Sequence, residues 1–593
     1  MRLNRAIKTE VGSAVLCLVS AALFFVGFLV LAFALHHVQV SRSASYGYAS
    51  ARQSIRRVQT DGARGRILDR HGEVLAENRL QRVLVCLPES FQQKSWDGTA
   101  RAISNAVESL AHALGRKNPL TDQAIRRHVS RSLALPLLVW SDLNAREMAV
   151  FAENEADHPG FKIEERLVRA YPKGSLAAHL LGYVGRARGE AEAGDEKFSF
   201  FQPEMSGRAG LELYYNSFLR GVPGEKKVLV DARGFAIREW NVVEAQKGPD
   251  LTLAIDARVQ AAAERVLAGE KGACVVLDPR TGEVLALASA PTFDPNDFVP
   301  ILTHETYARE ANDPKKPLLN RASGGAYAPG STFKPITALA GLSVGFPADE
   351  TYDCTGVFDF GSLHLRCSTR WGHGPVDMRH ALMKSCNPYF CNIAMDIGTN
   401  DLIRTARLFG LGAKTGIDFG VDRAGVVPDA AWKKRTYGER WYAGDLAQMA
   451  IGQGMLLVSP LQMARVAGAI ATGFLVTPRL KADLPVERCP LAIPEKDLAI
   501  VREGMRLVVA GDGESRGTGF RAGQGVPVPV SGKTGTAEVG HGASRRKNVW
   551  FIAYAPSENP TVALALVIEN GESGGGTAAP KAAEVLKAVF EKP

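Results

Sequence analysis

An uninterrupted apolar run close to the N-terminus constrains this chain more than any other feature. The 25 residues 11–35 carry no charged side chain, and about 20 apolar residues are enough for a helix to cross a bilayer. Arg2, Arg5 and Lys8 precede the run. Because positively charged flanks stay on the cytoplasmic side, the pattern predicts a cytoplasmic tail at 1–10, a transmembrane helix at 11–35 and an exported remainder.

A cleaved signal peptide is the alternative for this segment, and Ala32-Phe33-Ala34 has the small residues of a cleavage site. The apolar core of a signal peptide spans only about 7–15 residues, so the length favours a retained anchor. The predicted location is therefore the cytoplasmic (inner) membrane. We expect a single pass, with the bulk of the chain on the periplasmic, extracytoplasmic side.

The length of 593 residues predicts several folding units rather than one core. A net charge of +9 suits an anionic partner. However, the chain has no nucleic-acid-binding motif and no basic run interleaved with aromatic residues. Nucleic acid is therefore not an expected partner, and a basic exported protein close to anionic lipid is the interpretation we favour.

The two halves of the exported part differ in pattern. In the first half, Asp69-Arg-His-Gly72 lies between short apolar runs and predicts a hairpin turn. Residues 98–158 have helical apolar spacing, and no catalytic arrangement is evident. From about residue 250 the pattern predicts strands at both ends and helices between them, which indicates an α+β fold with an antiparallel sheet flanked by helices. The predicted strands are 251–256, 273–277, 284–288, 549–554 and 561–568, and the predicted helices are 258–267, runs within 331–475, and 579–590.

Ser331 and Lys334 form the sharpest candidate for chemistry. Pro329-Gly330 breaks the chain just before them, and an apolar run continues after them as a predicted helix. Ser331 would then lie at a helix N-terminus, where backbone amides favour negative charge. Lys334, three residues on, shares its face and can take the serine proton if its pKa is depressed.

Two further motifs follow in order, Ser385-Cys-Asn387 and Lys533-Thr-Gly535. Spacing alone does not identify them, because each of the three motifs has a chance duplicate elsewhere: Ser544-Arg-Arg-Lys547, which reads as a charged loop, Ser557-Glu-Asn559 and Lys414-Thr-Gly416. Context separates them. Residues 528–538 form a predicted strand of small residues, to which a substrate backbone can add itself.

Penicillin-binding proteins and β-lactamases typically carry this set of three motifs: serine-x-x-lysine, serine-x-asparagine and lysine-threonine-glycine. From residue 11 to its end, the chain resembles a class B penicillin-binding protein. Residues 64–72 and 207–212 resemble that family's pedestal motifs. Residues 371–374, 441–445 and 451–454 are similar to its elongation branch, penicillin-binding protein 2. The resemblance implies an elongated, dimerisation-type pedestal domain at 36–248 and a transpeptidase domain at 249–593.

The resemblance also implies roles for the motif residues in cross-linking D-Ala-D-Ala stem peptides. Ser331 would attack the peptide carbonyl and Lys334 would accept its proton. Ser385 and Asn387 would relay protons and hold the substrate amide, and the backbone amides of Ser331 and Thr536 would form the oxyanion hole. Lys533 and Thr534 would bind the substrate carboxylate, and Gly535 completes their motif.

No cofactor is needed for this chemistry. The implied partners are stem peptides, β-lactams, a membrane-embedded glycan polymerase, and rod-shape scaffold proteins. A division-type septal transpeptidase, a D,D-carboxypeptidase, a β-lactamase, a penicillin sensor and an inactive scaffold are the alternatives. The Glu-x-x-Leu-Asn motif of class A β-lactamases does not occur in the chain.

Cys354, Cys367, His373 and Cys386 form a spaced set of metal-binding residue types. Three thiolates and an imidazole suit tetrahedral zinc, although the gaps are longer than in a compact zinc finger. Some elongation-type members have a zinc site at similar spacing beside the second motif. The alternative is a Cys354–Cys367 disulfide, with Cys386 and Cys391 as core residues.

Overall fold

The protein is described from a computed structural model that covers residues 3–46, 54–60, 62–186, 199–201, 205–299, 304–361, 363–540 and 545–591. Its first element is helix α1 (Leu3–His36), followed by a π-helical turn at His37–Ser41. The helix begins ahead of the apolar run. Its apolar side chains face outward, and Phe24, for example, is 83% exposed. Residues 14–41 are long and apolar enough to cross a membrane, so α1 fits a single-pass anchor.

The first half of the exported part is a mixture of strands and short helices. Its strands are β1 (Ile55–Thr60), β2 (Ile67–Leu68), β3 (Val74–Cys86), β4 (Leu137–Trp140), β5 (Phe161–Ala170), β6 (Val184–Arg186), β7 (Ser199–Phe201), β8 (Met205–Gly207), β9 (Gly224–Val230) and β10 (Ala236–Val243). Its helices are α2 (Trp96–Leu114), α3 (Asp122–Arg131), α4 (Ala145–Asn154), α5 (Ala178–Leu181), α6 (Gly210–Tyr214) and α7 (Asn216–Leu219).

The long strand β3 organises this half. It pairs antiparallel with β5 from Glu77–Ala170 to Cys86–Phe161, and with β4 at its far end. The apolar stripe of α2 predicted from the sequence is buried, with Ile103 and Val107 fully enclosed against this sheet. The predicted hairpin joins β2 to β3, and the Asp69 carboxylate accepts from the backbone of the turn.

The second half contains the larger sheet. Its strands are β11 (Leu251–Thr252), β12 (Gly272–Leu277), β13 (Val284–Ala290), β14 (Tyr352–Cys354), β15 (Val357–Phe360), β16 (Leu363–Arg366), β17 (Gly374–Val376), β18 (Phe474–Val476), β19 (Arg488–Pro490), β20 (Ser531–Val539), β21 (Arg546–Ala555) and β22 (Val562–Glu569). Its helices are α8 (Ala257–Val266), α9 (His304–Asn312), α10 (Arg321–Gly324), α11 (Lys334–Ser343), α12 (Met378–Met383), α13 (Asn387–Leu408, broken at Gly398), α14 (Ala430–Tyr437), α15 (Ala443–Ala450), α16 (Pro460–Thr472), α17 (Glu495–Ala510) and α18 (Ala579–Phe590).

Five of these strands form an antiparallel sheet in the order β13-β12-β22-β21-β20. Successive residues of β12 alternate between two apolar cores: Val275 packs into one and Val276 into the other. Helix α16 covers one face, while α8 and α18 cover the opposite face. The predicted sheet flanked by helices is therefore present, and β20 ends it as an edge strand.

The segment between the first two motifs contains strands where the sequence indicated mainly helix. Strands β14 and β17 pair with each other, and β15 and β16 form a hairpin. Strands of three or four residues have too little periodicity to be recognised locally. Here β15 and β16 are held as a hairpin, and β14 and β17 pair across 20 to 24 residues. This strand-rich segment, residues 352–376, packs against α13.

The two halves meet through side chains on both sides of the boundary near residue 250. Strand β11 pairs parallel with β2, and Arg66 holds Asp250 with two side-chain hydrogen bonds of 2.8 and 3.0 Å. The Tyr215 hydroxyl donates to Asp418 Oδ2 at 2.6 Å. Backbone pairing and polar contacts together join the first half to the sheet domain.

Candidate active site

Ser331 lies in a tight 3₁₀ turn, Gly330–Phe333, that leads directly into α11. The α-helix begins at Lys334, so Ser331 stands just ahead of its N-terminus. Gly330 begins the 3₁₀ turn with a left-handed φ of +56°. A Cβ at Gly330 would meet the Thr536 carbonyl oxygen at 2.7 Å. Glycine is therefore required for the serine turn to lie this close to strand β20.

Lys334 is fully buried behind the serine turn. Its Nζ donates to the Ser385 carbonyl oxygen at 2.7 Å and to Asn387 Oδ1 at 2.6 Å, and it lies 3.3 Å from Ser385 Oγ. Burial lowers the pKa of this ammonium to about 8, because desolvation disfavours the charged form. An appreciable fraction of Lys334 is then neutral near physiological pH, as a proton acceptor must be.

Lys533 approaches Ser385 from the other side. It is also fully buried, and its Nζ donates to Ser385 Oγ at 2.9 Å. Burial, together with the nearby charge of Lys334, lowers the pKa of Lys533 well below its usual range. Ser385 Oγ thus lies between two lysines, so it can pass a proton from one side of the site to the other.

Ser385 reaches this position through an unusual backbone conformation, with φ of +56° in the turn between α12 and α13. Non-glycine residues rarely adopt this region, and strain of this kind occurs often at functional sites. Asn387 begins α13, and its Nδ2 donates to the Arg366 carbonyl oxygen at 2.8 Å. The second motif therefore connects Lys334 to the β15–β16 hairpin.

Strand β20 carries the third motif along the edge of the sheet, where it pairs with β21 on one side. A Cβ on Gly535 would come within 2.9 Å of the Pro329 carbonyl oxygen. The glycine therefore lets the strand pass directly behind the serine turn. Thr536 follows on the same strand, and its carbonyl oxygen accepts from Gln453 Nε2 at 3.2 Å.

A cavity of about 1360 Å³ joins the three motifs. Six of the eight predicted residues line it, and the two lysines are buried behind Ser385. The six are Ser331, Ser385, Asn387, Thr534, Gly535 and Thr536. Among the described residues, the duplicates at 414–416 and 557–559 contribute nothing to its wall. Lys547 does line it, from strand β21 rather than from the charged loop expected there, whereas Ser544 lies outside the described residues.

Sequence reasoning assigned no role to several residues of the cavity wall, among them Thr518 and Gln453. Both stand between two glycines, in Gly517-Thr-Gly519 and Gly452-Gln-Gly454. A Cβ on Gly452 would meet the Gly330 carbonyl oxygen at 2.0 Å. A polar residue flanked by glycines marks a place where backbones approach closely, and that signal could have identified both.

The four candidate metal ligands also come together. The ligand atoms of Cys354, Cys367, His373 and Cys386 lie within 4.8 Å of one another. His373 Nδ1 is 3.8 Å from Cys354 Sγ and 3.5 Å from Cys367 Sγ. A hydrogen bond from Cys386 lowers the pKa of the Cys367 thiol. All eight cysteines have free thiols, Cys354 and Cys367 included.

Comparisons with known proteins agree with this geometry. A family model described as the penicillin binding protein transpeptidase domain matches residues 272–591, and one described as the penicillin-binding protein dimerisation domain matches residues 59–253. The chain is 32% identical over 610 residues to the peptidoglycan D,D-transpeptidase MrdA of Acinetobacter baumannii, covering 96% of this chain and 86% of the relative.

Solved structures give the same result. Penicillin-binding protein 2 of Helicobacter pylori, in complex with MreC, has a TM-score of 0.77 and 27% identity, covering 90% of this chain and 98% of that one. A peptidoglycan synthase complex, described as coordinating polymerization and crosslinking, has a TM-score of 0.71 and 30% identity, covering 97% and 98%. The motifs, the cavity and the two matched domain models together show that the chain belongs to the penicillin-binding proteins with a transpeptidase domain.

Proposed function

We propose that this chain is the elongation-type peptidoglycan D,D-transpeptidase, a β-lactam target, and that Ser331 is its nucleophile. The observation that carries the proposal is that three motifs spread over more than 200 residues of the sequence meet at one cavity. At this cavity, Ser385 lies between two buried lysines. The relative named above is a D,D-transpeptidase, which supports cross-linking as the reaction and favours the elongation branch over the septal one.

Acylation starts when Ser331 Oγ attacks the carbonyl carbon of the penultimate D-Ala of a stem peptide. Neutral Lys334 accepts the serine proton, and the backbone amides of Ser331 and Thr536 stabilise the oxyanion, a contribution of about 3 kcal/mol per donor. The C–N bond then breaks, and the terminal D-Ala leaves as an amine after receiving a proton through Ser385. Lys533 and Thr534 hold the carboxylate of that D-Ala before it leaves.

Transfer reverses these steps with a different amine. The amine of a second stem peptide attacks the carbonyl carbon of the Ser331 ester and loses a proton to Lys334 through Ser385. The bond from that carbon to Ser331 Oγ breaks and Oγ takes the proton back from Lys334, so the cross-link forms and the free serine is restored. The open edge of β20 is suited to a peptide substrate, because an extended backbone can hydrogen-bond along it. Water in place of the amine would give carboxypeptidase activity.

Labelling with a fluorescent penicillin tests the nucleophile. Full-length protein in membranes should form a stable adduct, and Ser331→Ala should form none. Ser343→Ala is the matched control, since Ser343 Oγ only donates to the Ala340 carbonyl oxygen at the end of α11. An adduct on Ser331→Ala, or loss of the adduct in Ser343→Ala alone, would show that the nucleophile is misassigned.

Product analysis distinguishes cross-linking from hydrolysis. The full-length protein, supplied with lipid-linked glycan and a glycan polymerase, should yield cross-linked dimers of the muropeptides. Shortened monomers without dimers would identify a carboxypeptidase instead. A covalent penicillin adduct without either product would indicate a sensor.

The structural relatives also indicate partners. The Helicobacter pylori protein forms a complex with MreC, and the synthase complex couples polymerization to crosslinking. We propose that this chain likewise works with a membrane-embedded glycan polymerase and rod-shape scaffold proteins. Co-purification of the full-length chain with each partner, with and without α1, would show which contacts depend on the membrane helix.

The domain organisation and orientation are part of the same proposal: a cytoplasmic tail at 1–10, a span at 11–35, a pedestal at 36–248 and a transpeptidase domain at 249–593. The basic N-terminus supports an extracytoplasmic catalytic half. Cys489 is exposed and belongs to that half. A membrane-impermeant maleimide should therefore label Cys489 in intact spheroplasts. If Cys489 were labelled only after lysis, the catalytic half would lie on the cytoplasmic side instead.

We also propose that Cys354, Cys367, His373 and Cys386 bind a structural zinc ion. Tetrahedral zinc, with bonds of about 2.3 Å to sulfur and 2.0 Å to nitrogen, separates neighbouring ligand atoms by roughly 3.5–3.8 Å. The two distances from His373 Nδ1, 3.5 Å to Cys367 Sγ and 3.8 Å to Cys354 Sγ, lie in this range. A bound metal would fix Cys386, and with it the turn that carries Ser385 and Asn387, to the strand-rich segment. The acyl-transfer steps themselves use no metal.

Elemental analysis of the purified protein should find one zinc per chain, and Cys367→Ser should lower that content. Cys391→Ser is the control, since Cys391 is buried and donates to the Ala447 carbonyl oxygen outside the cluster. Absence of metal combined with a Cys354–Cys367 disulfide, detected by mass spectrometry of the unreduced protein, would establish the alternative.

A further inference from the structure

Thr518 connects the third motif to the turn that carries the second motif. Thr534 Oγ1 donates to Thr518 Oγ1 at 3.0 Å, and Thr518 Oγ1 donates to the Met383 carbonyl oxygen at 3.1 Å. Met383 ends α12 two residues before Ser385. Both threonines line the cavity, so the three groups form a short hydrogen-bonded chain along its wall.

The backbone around Thr518 allows little freedom. A Cβ on Gly517 would meet the Val508 carbonyl oxygen at 2.1 Å, and one on Gly575 would meet the Thr518 carbonyl oxygen at 2.3 Å. The Thr518 amide also donates to the Met383 carbonyl oxygen, at 3.4 Å. The hydroxyl of Thr518 is thus presented to Thr534 from a segment that close packing holds in place.

A threonine hydroxyl has one donor and two acceptor positions. Without substrate, the single proton of Thr534 points to Thr518. A bound carboxylate only accepts, so Thr534 must turn its proton to it. Thr518 can then rotate its own proton from the Met383 carbonyl to Thr534 Oγ1, and Met383 keeps the Thr518 backbone amide as its donor.

We propose that Thr518 is a positioning residue for substrate recognition: its hydroxyl orients the Thr534 hydroxyl toward the substrate carboxylate by reversing the direction of this hydrogen-bonded chain. The proposal rests on the proposed function, in which Thr534 binds that carboxylate. It assigns Thr518 no contact with the reacting carbonyl, so Thr518 affects recognition of the carboxylate and leaves the attack of Ser331 unchanged.

The test compares acylation of full-length protein by benzylpenicillin, which carries a free carboxylate, and by its methyl ester. Thr518→Val keeps the shape and removes the hydroxyl, and it should slow acylation by the acid about tenfold and leave acylation by the ester at the wild-type rate. Thr518→Ser should restore the rate with the acid. Thr472→Val, which removes a hydroxyl bonded to the Gly468 carbonyl oxygen in α16, should change neither rate.

Each outcome has one meaning. Equal slowing of Thr518→Val with acid and ester would make Thr518 merely structural, and an unchanged rate with the acid would remove its role. The proposal would also be overturned if Thr518→Ser, with the melting temperature of the wild type, did not recover the wild-type rate of acylation by benzylpenicillin. If wild-type protein formed no adduct with benzylpenicillin, the proposed function itself would fail; a wild-type adduct with no selective loss in Thr518→Val would refute only the role of Thr518.

Discussion

Two buried charge clusters, one in each half of the molecule, are built in opposite ways. In the first half, Glu212 is fully buried between two arginines: Arg64 Nη2 donates to it at 2.8 Å and Arg169 Nε at 2.6 Å. In the second half, Lys334 and Lys533 are equally buried, yet no ion pair to either occurs among the described residues. Their partners are hydroxyl, amide and carbonyl groups.

The difference fits the roles proposed for the two clusters, structural for Glu212 and its arginines and catalytic for the two lysines. Burying a charge is costly unless an opposite charge and hydrogen bonds compensate it. Glu212 offsets the charge of one arginine, and hydrogen bonds from both arginines to Glu212 and to backbone carbonyl oxygens hold β5 and α6 together. The two lysines have no ion-pair partner among the described residues, and burial depresses their pKa values, as the proton transfer proposed for Lys334 requires.

The largest effect is expected from Lys334→Met. Removing the proton acceptor should slow acylation by penicillin about 10³-fold, while the melting temperature should not fall, because a buried uncompensated cation is removed. Lys433 provides the contrast, since it is buried with Asp445 at 2.8 Å. Lys433→Met should lower the melting temperature. A melting temperature that falls equally in both variants would contradict the comparison.

Glu212→Gln should have the next largest effect, on stability alone. It leaves two buried guanidiniums with a neutral partner, and the free energy of unfolding of the first half should fall by about 3 kcal/mol. Urea unfolding followed by proteolysis measures this change. The control is Glu165→Gln, whose exposed pair with Arg82 contributes at most about 1 kcal/mol. Slower penicillin acylation by folded Glu212→Gln would show that the cluster is not purely structural.

The smallest effect concerns the contact between the halves. Tyr215→Phe removes the hydroxyl that donates to Asp418. The free energy of unfolding should fall by about 1 kcal/mol. The melting temperature and the rate of proteolysis near residue 250 should both report it. Tyr214→Phe is the matched control, because Tyr214 is 48% exposed. Equal changes in the two variants would mean that the Tyr215 hydroxyl does not join the halves.

Much of the fold could be predicted where a local pattern repeats. The hairpin of β12 and β13 follows from its apolar runs and the intervening turn, and α18 begins and ends at the predicted residues. The strands of 352–376 were missed because each spans only three or four residues, too few to show a repeat. The sequence pattern did not indicate the 3₁₀ turn that holds Ser331 ahead of α11, because that turn starts from the left-handed conformation of Gly330.

The sequence alone determined the apolar anchor segment, the order of the three motifs and the set of four candidate metal ligands, because each is a property of residue type and spacing. Only the tertiary structure decided that Ser385 lies between Lys334 and Lys533, that β20 is an edge strand, and that Thr518 contacts Thr534. These contacts join residues 16 to 148 positions apart. Pairing across such distances depends on sheet register and helix packing, which no local periodicity encodes.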